Sequence, residues 1–225
     1  MVQNFDVLGI GNAIVDILIQ VDDEFLKSKK LIKGSMQLVS EGDAATLYAE
    51  LGKCIECSGG SAANTVAGLA SMGARTSYIG KIHDDQLGKV FKHDINTIGT
   101  SFNTPPSFSG PGTAHCIVLV TPDAERTMCT YLGACVNLTE TDIDESIVRS
   151  SKFSYLEGYL WDPEPAKAAF RKTIHIAHDE GNKVALSLSD PFCVNRHHGE
   201  FLKLVKDDID ILFANEDEIK MLYAT

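Results

Sequence analysis

No apolar run in this 225-residue chain approaches the roughly 20 residues needed to span a bilayer. Met1 to Asp6 carry no basic segment leading into an apolar stretch. Neither a transmembrane helix nor a secretory leader is expected, and the expected location is cytoplasmic. Positive charge is also scarce: 20 Lys and Arg face 31 Asp and Glu, a net charge of -11. Such a surface repels phosphate backbones and anionic lipid headgroups, so no nucleic-acid and no membrane partner is expected. Cysteines are few and scattered. Cys54, Cys57, Cys116, Cys129, Cys135 and Cys193 lack the density of a disulfide scaffold, and the Cys54–Cys57 pair has no second pair to complete a tetrahedral zinc site. Reduced, buried thiols are expected.

Two common nucleotide-binding patterns are missing. The P-loop pattern Gly-x-x-x-x-Gly-Lys-Ser/Thr does not occur, which excludes a P-loop mechanism. Gly9-Ile10-Gly11-Asn12-Ala13-Ile14 comes after a strand-like run but lacks the third glycine, and the next segment looks like another strand. A dinucleotide site needs a helix there, so that its N-terminus meets the pyrophosphate. His175, His178, His197 and His198 have no acidic third ligand at suitable spacing, so no direct metal site is expected among them.

What is present is a chain with 44% hydrophobic residues, enough for a sizeable core near the upper size of one domain. Strand-like runs at 5–11, 75–82, 153–160, 184–189 and 209–214 alternate with helical patterns at 62–72, 84–98, 165–179 and 200–206. Strands separated by helices imply a parallel sheet covered by helices on both faces. Short strand groups near 13–39 and 101–132 fall outside that rhythm and are expected to form a small β-sheet acting as a lid. A helix begins at Glu216 and the sequence stops at Thr225 without an evident end to the alternation, so the domain of residues 1–225 is expected to be incomplete.

Several residues stand out chemically. Asp16 lies in Ile14-Val15-Asp16-Ile17-Leu18-Ile19, where a carboxylate costs free energy unless it has partners. It serves a backbone turn or is poised to accept ligand hydroxyls. Gly59-Gly60-Ser61-Ala62-Ala63-Asn64 places flexible backbone before a helix, where N–H groups can donate to a ligand oxygen. Ser61 and Asn64 either cap that helix or face a ligand. Asn215-Glu216-Asp217-Glu218 has the pattern of an N-cap with an acidic first turn, and could equally organise magnesium waters. Arg126, after a hairpin turn, is a solvated cation or a phosphate partner.

Together these segments resemble the pfkB, or ribokinase-like, family of kinases over essentially the whole chain. The most specific piece is Ser58-Gly59-Gly60-Ser61-Ala62-Ala63-Asn64-Thr65 followed by Gly73, Gly80 and Gly88, with Asp85 in the acidic position before Gly88 and His83 where many members have glycine. The runs 11–17, 186–192 and 211–218 look most like the adenosine kinase branch. The resemblance implies a ribokinase-like α/β fold and ATP-dependent phosphorylation of a sugar hydroxyl, adenosine to AMP foremost, with ATP and Mg2+ as cofactors. By the same resemblance Asp16, Gly60 and Asn64 would bind ribose hydroxyls, with Asn12 and Ser61 near them. Arg126 would lie at the transferring phosphate, and Asn215 with Glu218 would organise magnesium and phosphate. The family's general base belongs to an Asp-Thr-x-Gly-Ala-Gly-Asp segment that does not occur by Thr225, so no base is assigned. A ribose or fructose kinase is the alternative within the family, and a non-catalytic nucleoside or sugar binder the alternative outside it. The expected partners are small molecules, with the protein a monomer or a dimer paired through its lids. Phe192 is a candidate to stack on a base.

Overall fold

A computed structural model describes residues 4–223. The strands, in chain order, are β1 (Phe5–Ile10), β2 (Ile14–Gln20), β3 (Met36–Leu38), β4 (Ile55–Gly59), β5 (Thr76–Ile79), β6 (Thr100–Phe102), β7 (Ala114–Val120), β8 (Arg126–Tyr131), β9 (Ser151–Glu157), β10 (Lys183–Ser187) and β11 (Ile211–Phe213). Six of them form an all-parallel sheet in the order β11-β10-β9-β1-β5-β6. The other five form a mixed sheet in the order β3-β8-β7-β2-β4.

Because every strand of the first sheet runs the same way, all its C-terminal ends lie on one rim. The chain places β5 and β6 to one side of β1 and β9, β10 and β11 to the other. The connection therefore reverses between β1 and β9, and that reversal opens a crevice at the strand ends where α/β sheets bind ligands.

Local chemistry sets the helix boundaries. Asp85 accepts from the Gly88 N–H at 2.7 Å and starts the helix Gln86–Thr97, and Gly99, at φ 104°, ends it in the left-handed region that glycine adopts without a Cβ clash. The helix Glu164–Asp179 carries Ala166, Ala169, Phe170, Thr173, Ile174 and Ala177 buried on one stripe at three- and four-residue spacing. That stripe packs on Leu8, Leu156, Val184 and Leu186 of the parallel sheet, and the helices Pro191–Arg196 and His198–Asp207 extend this core through Val194 and Phe201. A second core lies between the two sheets, where the helices Ser61–Ser71 and Gln86–Thr97 bury Val66, Phe91 and Ile95 against Tyr78 on one side and Val15, Ile17 and Ile117 on the other. Cover over the parallel sheet is uneven: Ile211 and Phe213 remain 38% and 52% exposed on an open apolar face. Among the described residues no helix is long and apolar enough to cross a membrane.

The strand groups need correction. β6 falls within the 101–132 group yet pairs with β5 and completes the parallel sheet. β4 lies outside both groups expected to build the small sheet, yet it pairs antiparallel with β2 and forms an edge of it. Both are short strands whose membership is decided by tertiary pairing and not by local pattern. The 13–39 group also contains a six-residue helix, Asp23–Ser28, begun by the Asp22 side chain. β9 ends at Glu157, and a 3-10 turn, Gly158–Trp161, replaces the expected strand continuation.

Candidate functional site

β2 carries Asp16 on the face of the mixed sheet opposite the buried Val15 and Ile17, because successive side chains of a strand alternate. Register places Asp16 in one row with Leu38, Thr130, Cys116 and Cys57, spanning all five strands. No cation sits in that row, and burial pushes the Asp16 carboxyl up to about 6, with the Arg126 charge pulling the other way. Arg126 starts β8 on the same face as Met128 and Thr130.

The Asp16 carboxylate rests on Gly59: a Cβ there would lie 2.3 Å from its carboxyl carbon. Gly60 is next, at φ 96°, with room for a Cβ denied by the Asn12 carbonyl at 2.4 Å. A side chain at Gly59 would displace the Asp16 carboxylate, and one at Gly60 would strike the Asn12 main chain. The helix then opens with Ser61, and no side chain caps it. The capping role considered for Ser61 and Asn64 is absent, since both lie inside the helix, with Asn64 N–H bonded to the Gly60 carbonyl. Ser61 and Asn64, three residues apart, share one face of the first turn. Asp16 and Asn64 thus flank the same Gly59–Gly60 turn.

A cleft of about 420 Å³ runs between the sheets at the reversal point. Its mixed-sheet wall is mainly apolar, with Ile14, Met36, Leu38, Met128 and Leu132 beside the hydroxyl of Thr130. The opposite wall comes from the C-terminal rim of the parallel sheet and includes Asn12, Ser61, Glu157, Tyr159, Asp190 and Phe192. Phe192 is 76% exposed in this opening. It lies just beyond Ser189, which holds φ 75° and is fixed by Tyr159 through both a main-chain N–H to its Oγ and a phenol O–H to its carbonyl.

Glu157 escaped the sequence reading. It ends β9 and is completely enclosed, accepting the Ala62 N–H at 3.0 Å, the Asn12 Nδ2–H at 3.0 Å and the Asn12 N–H at 3.4 Å. Burial pushes its carboxyl up from the usual range, and these donors oppose that. Its only local signal is an acid closing an apolar strand, weaker than the mid-strand position that marked Asp16.

Asn215 and Glu218 bond to each other reciprocally. Glu218 N–H donates to Asn215 Oδ1 at 2.9 Å, while Asn215 Nδ2–H and N–H donate to Glu218 Oε1 and Oε2 at 2.8 and 3.1 Å. They form a capping box at the helix Glu216–Tyr223, on the same rim as Asn12 and Glu157. Among the described residues no group of three or more His, Cys, Asp or Glu is placed to hold a metal ion. His178 and His197 instead face Asp210 and Asp162.

The raised Asp16 value has a testable sign. The folded carboxyl titrates near 6 against 3.8 for an ordinary Asp, so the fold favours the protonated form. That contribution is complete below the ordinary value and is lost as pH rises through about 6. Asp16→Asn is expected to raise the melting temperature at pH 8, by stability on the order of 1–2 kcal/mol, and to change it little at pH 4. Equal effects at both pH values would show that Asp16 is not desolvated.

Residues 34–225 match the family described as pfkB family carbohydrate kinase, and the chain belongs to that family. Among solved structures it is similar to the adenosine kinase from Sinorhizobium meliloti, with 50% identity and a TM-score of 0.90 over 99% of this chain and 68% of that one. Among curated relatives, adenosine kinase 2 of Arabidopsis thaliana is 30% identical over 96% of this chain and 65% of its own length. The guanosine-inosine kinase of Escherichia coli K12 is 27% identical over 96% of this chain. The chain spans about half the length of that kinase, 52%.

Proposed function

We propose that the protein transfers a phosphoryl group from ATP to a sugar hydroxyl of a nucleoside, adenosine foremost. The observation that carries this reading is the desolvated Asp16 carboxylate set on the Gly59–Gly60 turn beside the cleft. A carboxylate with no cation in its row is arranged to accept hydroxyl donors from a ligand. Asn12 packs on Gly60, Ser61 and Asn64 follow that glycine in the first turn of the helix, and with Gly60 they complete the proposed ribose subsite. The apolar walls at Met36, Leu38 and Phe192 exceed what a free pentose needs, and a purine ring fills them. The 50% identity to an adenosine kinase supports the same acceptor.

Phosphoryl transfer needs positioning and charge neutralisation more than covalent chemistry. ATP is the phosphoryl donor in this reading, and magnesium offsets charge on its phosphates. Arg126 lies on the cleft face of the mixed sheet and is the residue proposed to meet the transferred phosphate. The mixed sheet acts as a lid that excludes water, and Asn215 with Glu218 organises the waters of the metal from the rim. Both side chains are already satisfied by one another, which suits an indirect role better than direct ligation.

The test is an ADP-release assay on the intact protein with ATP and magnesium against adenosine, inosine, guanosine, ribose and fructose. Adenosine is expected to give the highest kcat/KM, at least about tenfold above either free sugar, because the sugars leave the apolar walls uncovered. A free sugar in first place overturns the nucleoside assignment, and tight nucleoside binding without turnover identifies a binding protein instead.

A further inference from the structure

Asn12 carries an unpaired group. The residue is 3% exposed, lines the cleft, and its Oδ1 has no hydrogen-bond partner. Buried amide oxygens are seldom left so, because an unmet acceptor costs free energy that a bound group can recover. The direction of the amide is set from behind. Two main-chain N–H groups, which cannot be turned round, already point at the Glu157 carboxyl: Ala62 at Oε2, 3.0 Å, and Asn12 at Oε1, 3.4 Å. Glu157 Oε1 therefore presents an acceptor to the Asn12 side chain, which can answer only with its Nδ2–H, at 3.0 Å. The Oδ1 must then face away from Glu157.

The carboxyl has no freedom to move. A Cβ on Gly11 would lie 2.4 Å from Glu157 Oε2, and the first turn of the helix Ser61–Ser71 closes the other side through Ala62. Glu157 is 145 residues from Asn12 in sequence and joins the ends of β1 and β9 across the point where the sheet's connection reverses.

We infer that Glu157 is a positioning residue that fixes the Asn12 amide with its oxygen towards the cleft, so that this subsite accepts a ligand hydroxyl only as a hydrogen-bond donor. The inference rests on the proposed nucleoside-kinase function and adds a rule of recognition to it. An ether or a fluorine at the same ligand position offers lone pairs to a lone pair and is rejected. Replacing Glu157 by Gln removes the rule: the Ala62 N–H, the shorter of the two main-chain bonds, holds the amide oxygen at the Oε2 position, the NH2 group takes the Oε1 position, Asn12 turns its oxygen to it, and the Asn12 Nδ2–H then faces the cleft.

The experiment is calorimetric binding to the intact protein of adenosine and of its three analogues with fluorine in place of the 2′-, 3′- or 5′-hydroxyl. Fluorine is close to hydroxyl in size and cannot donate. In the wild-type protein every analogue whose lost hydroxyl met an acceptor is expected to bind about tenfold or more weakly than adenosine, those facing Asp16 and the one facing Asn12 alike. In Glu157→Gln the analogue facing Asn12 alone is expected to fall within about threefold of adenosine, while those facing Asp16 stay weak. A merely structural role would weaken all four ligands together and keep their ratio, and an unchanged ratio in a folded variant overturns the inference. Should Glu157→Gln fail to fold, Asn12→Ala serves, since it deletes the acceptor and must also abolish the discrimination. Absence of nucleoside binding in the wild-type protein would instead sink the nucleoside reading itself.

Discussion

Asp16→Ala is expected to raise KM for the nucleoside by about 100-fold or more, since a carboxylate accepting two hydroxyls contributes charge-assisted hydrogen bonds worth roughly 1.5–3 kcal/mol each. Thermal stability is expected to hold or rise in the same variant at neutral pH. The ionised carboxylate is desolvated in the fold, so its removal relieves a cost. The opposite signs matter. A variant that loses affinity and stability together would indicate collapse of the Gly59–Gly60 turn on which the carboxylate rests. Unchanged steady-state kinetics would remove Asp16 from the site altogether.

Gly11→Ala is expected to cost stability of about 2–4 kcal/mol, beyond ordinary overpacking, because the added methyl has nowhere to go. It would meet Glu157 Oε2 at 2.4 Å, the Ala62 Cβ at 2.8 Å and the Glu157 Cβ at 3.0 Å. None of these can retreat. Glu157 is held by Asn12 and Ala62, and Ala62 is fixed in the first turn of its helix. Displacing the carboxyl leaves buried donors without partners, so nucleoside binding falls as well. Gly68→Ala is the control, since nothing lies within 4 Å of its position, and alanine there is expected to stabilise the helix by roughly 0.5–1 kcal/mol. Equal denaturation midpoints for Gly11→Ala and the wild-type protein would show that the enclosed carboxyl does not occupy this place.

Asp16 was legible in the sequence because a lone charge among Ile14, Val15, Ile17 and Leu18 violates the apolar pattern on both faces of a strand. The helical patterns at 62–72 and 84–98 were legible for a similar reason: the chemistry at their ends, at Gly73, Asp85 and Gly99, is local. Their roles are visible in bonds or backbone angles spanning a few residues. Glu157 was not legible. An acid at the end of an apolar strand is ordinary, and what makes this one unusual is an asparagine 145 residues away. The helices Asp23–Ser28 and Pro191–Arg196 were missed because six residues give fewer than two turns, too few to show a periodic stripe. Ser61 and Asn64 were placed beside the correct turn, but sequence could not separate capping from a ligand-facing position. That choice was made by Gly60, whose backbone, at φ 96°, begins the helix without help from any side chain.

An all-parallel sheet has a second rim, opposite the one that carries the crevice. There Gly73 and Gly181 turn the chain from helix into β5 and β10, and both look out on open space, with nothing within 4 Å of where a side chain would begin. Insertion points for a spacer or a peptide are therefore available in the loops around them, a full strand length away from Asn12 and Glu157, while the two glycines themselves stay, since their φ of 93° and 72° suits no other side chain.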